Sequence, residues 1–191
     1  MAYATYITEA LVCGMYDSRN ADRSFLLFTR EAGMVYAHAR SVREERSKQR
    51  YALQECSHAR ITLIRGKSGW KIAGTEPIQN LYTVAESRES RAFLRNVILL
   101  LKRVVHGETV YEKIFDDVVE SCMNATTHSF PTLEHILSLR ILHALGYIAP
   151  VPEFNAVLHC PLLDTYTVVF TESEEKKCRE AIVHALIQSQ L

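Results

Sequence analysis

The residues best able to do chemistry in this chain are cations. From Arg40 to Arg50 it reads RSVREERSKQR, setting Arg40, Arg43, Arg46, Lys48 and Arg50 against only Glu44 and Glu45. A cationic groove of this kind tracks a phosphate backbone, and aromatic side chains beside it give bases a surface to stack on. Tyr36 and Trp70 are the aromatic candidates. Arg19, Arg23, Arg65, Lys67 and Lys71 are candidate phosphate contacts from the flanking segments. Taken singly, a tyrosine or tryptophan in a strand is ordinarily a core or rim residue, and a basic loop is ordinarily solvated surface. It is their conjunction that points to nucleic acid.

Other chemistries lack their groups. There is no G-x-x-x-x-G-K-[ST] to cradle a nucleotide phosphate and no G-x-S-x-G nucleophile elbow. The five cysteines (Cys13, Cys56, Cys122, Cys160, Cys178) are odd in number and show no paired spacing, so reduced thiols are expected rather than a disulfide framework. A cysteine nucleophile needs a base in contact; His58, two residues beyond Cys56, would share a strand face with it without touching it closely. Asp116-Asp117 and Glu174-Glu175 read as solvated helix faces. Adjacent His159 and Cys160 with a distant Cys178 do not form the paired ligands of a tetrahedral site. No metal, no cofactor and no enzymatic turnover are expected.

The elements that would position the cations are short strands. Tyr6 to Tyr16, Arg23 to Arg30, Met34 to Ser41, Arg60 to Arg65 and Trp70 to Pro77 are rich in β-branched and aromatic residues, and turn formers separate them. The turns are Asp17 to Asp22, Glu31-Ala32-Gly33 and Gly66 to Gly69, with the basic row as a hairpin-like loop between strands three and four. The expected fold is α+β, with a five-stranded OB-like barrel over residues 1–80 and a helical domain over 81–191. In the helical half, Thr83-Val84-Ala85-Glu86 has capping-box form ahead of an apolar stripe from Val84 to Val105 that ends near Gly107. Arg88, Arg91, Arg95, Lys102 and Arg103 lie on its polar side. Further helices are expected through Val110 to Val119, from Leu133 to Leu145 with Gly146 as the stop, and from Glu172 to Gln188 behind the box-like Thr171 to Glu174.

The formal net charge of zero is a cancellation: residues 1–103 hold 17 Lys+Arg and 10 Asp+Glu (+7), and residues 104–191 hold 5 and 12 (−7). Such asymmetry marks a basic binding face on one part of a molecule. No stretch approaches the roughly 20 apolar residues of a membrane span. The start MAYATYITEA also lacks the basic-then-apolar layout of a signal peptide. A compact soluble protein in the cytoplasm is expected.

Two segments resemble the RecO recombination mediators. GMYDSRNADRSFLLFTREAGMV (Gly14 to Val35) is similar to that family's strand, turn and hydrophobic strand ending in Thr-Arg-Glu-x-Gly. LRILHALGYIAP (Leu139 to Pro150) is similar to its helix ending in Leu-Gly-Tyr. The resemblance covers about the first 150 residues and implies an OB barrel that binds single- and double-stranded DNA, anneals strands, and assists RecA loading with RecR and single-strand-binding protein. It weakens at Val151 to Phe170, where many members carry a four-cysteine zinc module, and the chain stops short of the family's usual final helices. The resemblance also implies docking of the acidic tail of single-strand-binding protein on the helical half; because residues 104–191 carry −7, tail binding is expected to be either weak, on the order of tens of micromolar or above, or anchored by Arg140 together with Arg91 or Arg95. Those two arginines are also candidates to extend the DNA path. The alternative is a non-catalytic interaction module with an OB-like barrel that binds no DNA, its arginines serving solubility.

Overall fold

A computed structural model describes residues 4–18, 21–124, 130–149, 152–166 and 168–188. Strands β1 (Thr5–Asp17), β2 (Arg23–Thr29), β3 (Gly33–Ala39), β4 (Ser57–Gly66) and β5 (Gly69–Asn80) close into a barrel in the order β1-β2-β3-β5-β4. All pairs are antiparallel except β3 with β5. That parallel seam is short, Ala37 beside Trp70 and His38 beside Lys71. The period-two pleat sends Ala10 and Val12, Phe25 and Leu27, Val35, Ala37 and Ala39, Ala59, Ile61 and Leu63, and Trp70 and Ile72 into one core. Burying each large side chain contributes about 1.5–3 kcal/mol. Because barrel closure leaves no free edge, the fold removes the exposed backbone that an open five-stranded sheet would present.

The basic row is not a hairpin. β3 and β4 are not neighbours, and the row bends through Ser41 in the left-handed region (φ 51°) into a short helix, α1 (Gln49–Ala52). Val42, Ala52 and Leu53 are buried in the barrel core, so the loop plugs one barrel end and leaves its charged residues outside. β4 begins at Ser57, earlier than Arg60, because Cys56 at φ 64° makes the turn into it while its N–H donates to Val12 O at 2.9 Å.

The chain divides into two compact units, residues 1–84 with 106–115, and residues 85–105 with 116–191. A single cut after residue 80 does not describe this division, because the stretch 106–115 returns to the barrel. Met34 N–H donates to Gly107 O at 2.9 Å, and the Phe115 ring packs tilted against Phe28, an outward residue of β2, with centroids 5.6 Å apart. After β5, helix α2 (Leu81–Val84) is capped by the Asn80 carboxamide, which accepts from Tyr82 N–H and Thr83 N–H.

The second unit holds α3 (Arg88–Val104), most of α4 (Glu112–Asn124), α5 (Phe130–Ala144), α6 (Asn155–His159), α7 (Leu162–Thr165) and α8 (Glu172–Gln188). The box that opens α3 is Ser87 with Ser90, not Thr83 with Glu86: each serine hydroxyl accepts the other's backbone N–H. α8 opens on the expected Thr171 and Glu174 pair. Gly146 (φ 79°) ends α5, with Tyr147 N–H reaching Leu142 O and Gly146 N–H reaching His143 O. α6 and α7 fall in Val151 to Phe170, an apolar segment in which each helix is too short, with Pro161 between them, to announce a helical period.

Candidate nucleic-acid interface

Strand register lays the outer face of the barrel out as a row. Tyr16 of β1 stands opposite Ser24 of β2, Ser24 opposite His38 of β3, His38 opposite Lys71 of β5, and Lys71 opposite Ile64 of β4. One pleat along, Tyr36 of β3 faces the same side, opposite Leu26, which is opposite Gly14. With no side chain at Gly14, the Tyr16 ring folds over it, since a Cβ there would meet the Tyr16 hydroxyl at 3.2 Å. The Tyr16 and Tyr36 rings come within 6.0 Å, and both stay exposed, at 42% and 63%. Tyr16 was not among the residues singled out above; only the register and the Gly14 gap reveal it.

At the other end of the row, where the β3–β5 seam runs out, His38, Arg40, Gln49, Ile64, Lys71, Ile72 and Ala73 line a groove of about 340 Å³. His38 bridges the row, its Nε2 3.2 Å from Asp22 Oδ2 and its Nδ1 3.4 Å from Ser24 Oγ. Asp22 also accepts Ser41 N–H at 2.7 Å, and that bond, more than His38, holds its carboxyl below the usual range. Asp22 thereby pins the base of the cationic loop.

The candidate cations fall into two groups. Arg23 donates to Asp17 at 2.6 Å, Arg43 lies 3.9 Å from Asp17, Arg46 donates to Glu44 at 2.7 Å, and Arg65 pairs with Glu108. Asp17 is held low chiefly by its bond from Arg23, and Glu44 by the Ser41 hydroxyl and then Arg46. Among the described residues Arg40, Lys48, Lys67 and Lys71 make no ion pair within 4 Å, and they remain available to phosphate. Arg50 lies between the groups: its guanidinium sits 4.8 Å over the Tyr51 ring and donates to the Tyr51 hydroxyl. Arg19 lies outside the described residues.

Three candidates take other roles. Trp70 is 9% exposed and inside the barrel core, with Tyr6 edge-on at 5.3 Å, Arg65 at 4.7 Å over its ring and its Nε1–H donated to Glu108; its faces are occupied rather than open to a base. Arg91 and Arg95 belong to α3 in the helical unit, where Arg91 Nε donates to Ala85 O. Arg140, expected as an exposed anchor, is 4% exposed. Its Nε donates to Asp117 at 2.8 Å and its Nη1 to the carbonyls of Val157 and Cys160, both at 3.0 Å, so it ties α4 and α6 to α5.

No group of three or more His, Cys, Asp or Glu able to hold a metal occurs among the described residues. Burial pushes the Cys56 thiol up to about 11, far from a thiolate nucleophile, and His58 is engaged instead with Glu9 at 3.0 Å. Among the described residues no helix is long and apolar enough to cross a membrane.

These features define an OB-type barrel, with a cationic and aromatic outer face, joined in one chain to a helical unit. Residues 1–81 match the family described as the N-terminal part of recombination protein O, and the barrel belongs to that family. The chain is also similar to proteins named DNA repair protein RecO. The relative from Heliobacterium modesticaldum is 33% identical over 81% of this chain and 55% of its own length. Those from Dehalococcoides mccartyi and Pelotomaculum thermopropionicum are 25% and 23% identical over 80% and 81% of this chain, and 60% and 59% of their own. The chain thus spans between half and two thirds of the length of these relatives.

Proposed function

We propose that the outer face of the barrel binds a nucleic-acid strand, with phosphates on Arg40, Lys48, Lys67 and Lys71 and bases against Tyr16 and Tyr36, and that the chain serves DNA repair as a RecO-type recombination mediator in the cytoplasm. The observation that carries this is the strand row that sets two exposed tyrosines and Lys71 on one face, with Arg40 lining the groove beside Lys71, on a barrel belonging to the RecO N-terminal family. The proteins it resembles are named for DNA repair. The work is non-covalent. Cations that neutralise two backbones lower the repulsion between strands, and base pairing then drives annealing. By the same reading the chain binds single- and double-stranded DNA, assists RecA loading, and has RecR and single-strand-binding protein as partners.

Fluorescence anisotropy with a labelled single strand tests this reading. Four phosphate contacts at about 0.7 each give a salt slope of about −3, so affinity falls about 60-fold between about 50 and 200 mM salt. Replacing Arg40 and Lys71 by alanine makes the slope shallower by about 1.4. A specific observation favours the interaction-module alternative: Arg23, Arg43, Arg46 and Arg65 are already matched by carboxylates. That alternative requires a slope near zero and indifference to Arg40 and Lys71.

A further inference from the structure

The stretch from His106 to Glu112 lies across the barrel end that carries the β2–β3 and β4–β5 turns. Gly33 admits it: at φ 66° and without a Cβ, it leaves room for Thr109 O, which a side chain there would meet at 2.3 Å. The stretch carries Glu108 to Arg65, 43 residues away in sequence. Glu108 Oε1 accepts from Arg65 Nη1 and, at 3.0 Å, from Trp70 Nε1–H, while the Arg65 guanidinium covers the Trp70 ring at 4.7 Å. Arg65 leads into the turn that bears Lys67, and Lys71 follows on the outer row. Arg65 is half exposed, with 49% of its side chain open, so an incoming phosphate can approach it while Glu108 is in place.

Resting on the reading of the barrel as a nucleic-acid binder, we infer that Glu108 limits its affinity: it is a carboxylate that occupies Arg65 in place of a phosphate, so that a bound strand gains the Arg65 contact only by displacing it. The exchange is feasible in both directions. An exposed ion pair is weak and screened by salt, whereas an arginine-phosphate contact can be bidentate and releases counterions from the strand. A neutral amide oxygen also accepts from the Trp70 Nε1–H, though less strongly than a carboxylate, so Glu108→Gln removes the competing charge while keeping an indole partner.

The test uses the full chain, a fluorescein-labelled oligothymidylate as probe, and four proteins: wild type, Glu108→Gln, Arg65→Ala and the double variant. Glu108→Gln is expected to bind about 5-fold tighter at about 0.1 M salt, with a slope steeper by about 0.7. The gain should vanish in the Arg65→Ala background. A gain that persists without Arg65 reflects general charge and overturns the inference, as does a Glu108→Gln protein indistinguishable from wild type; both leave the binding reading intact. No binding by any of the four overturns both. A second readout uses wild type alone: displacing Glu108 from the indole N–H shifts Trp70 emission as an unlabelled strand saturates the protein, and unchanged emission at saturation contradicts the displacement even if Glu108→Gln perturbs the fold.

Discussion

Arg140 supplies a test of how the helical unit is held together. Its guanidinium is buried with Asp117, itself 8% exposed, and it donates to two carbonyls beyond the helix that carries it. Arg140→Ala leaves a buried carboxylate unpaired and the Val157 and Cys160 carbonyls without this donor. Breaking one side of a buried pair costs about 3–5 kcal/mol. With a urea m-value of about 2 kcal/mol/M, the unfolding midpoint should fall by about 1.5–2.5 M. Two probes separate the units, because Trp70, the sole tryptophan, reports on the barrel, while circular dichroism at 222 nm follows the helices, most of which are in the second unit. The ellipticity transition is expected to move and the Trp70 transition to stay. Arg140→Met combined with Asp117→Ala should recover part of the loss, since replacing both partners by apolar groups is tolerated better than orphaning one. An ellipticity midpoint shifted by less than about 0.5 M for Arg140→Ala would refute the buried-pair account and return Arg140 to the role of surface anchor.

Gly33→Ala should destabilise the barrel by about 2–4 kcal/mol, because it combines left-handed backbone strain with a methyl group driven onto Thr109 O; denaturant unfolding followed by Trp70 emission measures it. Asp22 titrates below its ordinary value of 3.8, so its hold on Ser41 is complete above that pH and is lost only as pH falls through the lower folded value. The Ser41 amide resonance should therefore titrate with a midpoint below 3.8, and a midpoint at or above that value contradicts the hydrogen bond. Cys56 and Cys178, whose thiols burial raises to about 11 and about 12, should resist alkylation at neutral pH in the native protein and react once it is unfolded, as read by mass spectrometry.

Local chemistry made the strands legible: each β run is bounded by turn formers, and α8 announces itself through Thr171 and Glu174. What stayed hidden is long-range. The burial of Arg140 depends on Asp117, 23 residues earlier, and the return of 106–115 to the barrel depends on an empty space at Gly33. Nothing in the local pattern around either residue reports those partners. The short helix α1 was masked because Val42, Ala52 and Leu53 are diluted by a run of charge. Ser87 was overlooked as the α3 cap because a serine stands at the third helical position where a glutamate is the usual signal. For the candidate site, the cations and Tyr36 were readable from residue type alone. Which arginines are already matched by carboxylates, that Trp70 faces inward, and that Tyr16 joins Tyr36 all follow from register, which a one-residue shift would invert.

The central claim is that the row from Tyr16 to Lys71 is where a nucleic-acid strand lies, and photo-cross-linking locates the strand without relying on affinity. A single strand containing bromodeoxyuridine, irradiated in complex with the full chain and mapped by mass spectrometry, should cross-link to Tyr16 or Tyr36, and alanine at both positions should abolish those adducts while binding through Arg40 and Lys71 persists. Cross-links confined to residues 130–188, with none on the barrel, would contradict the account.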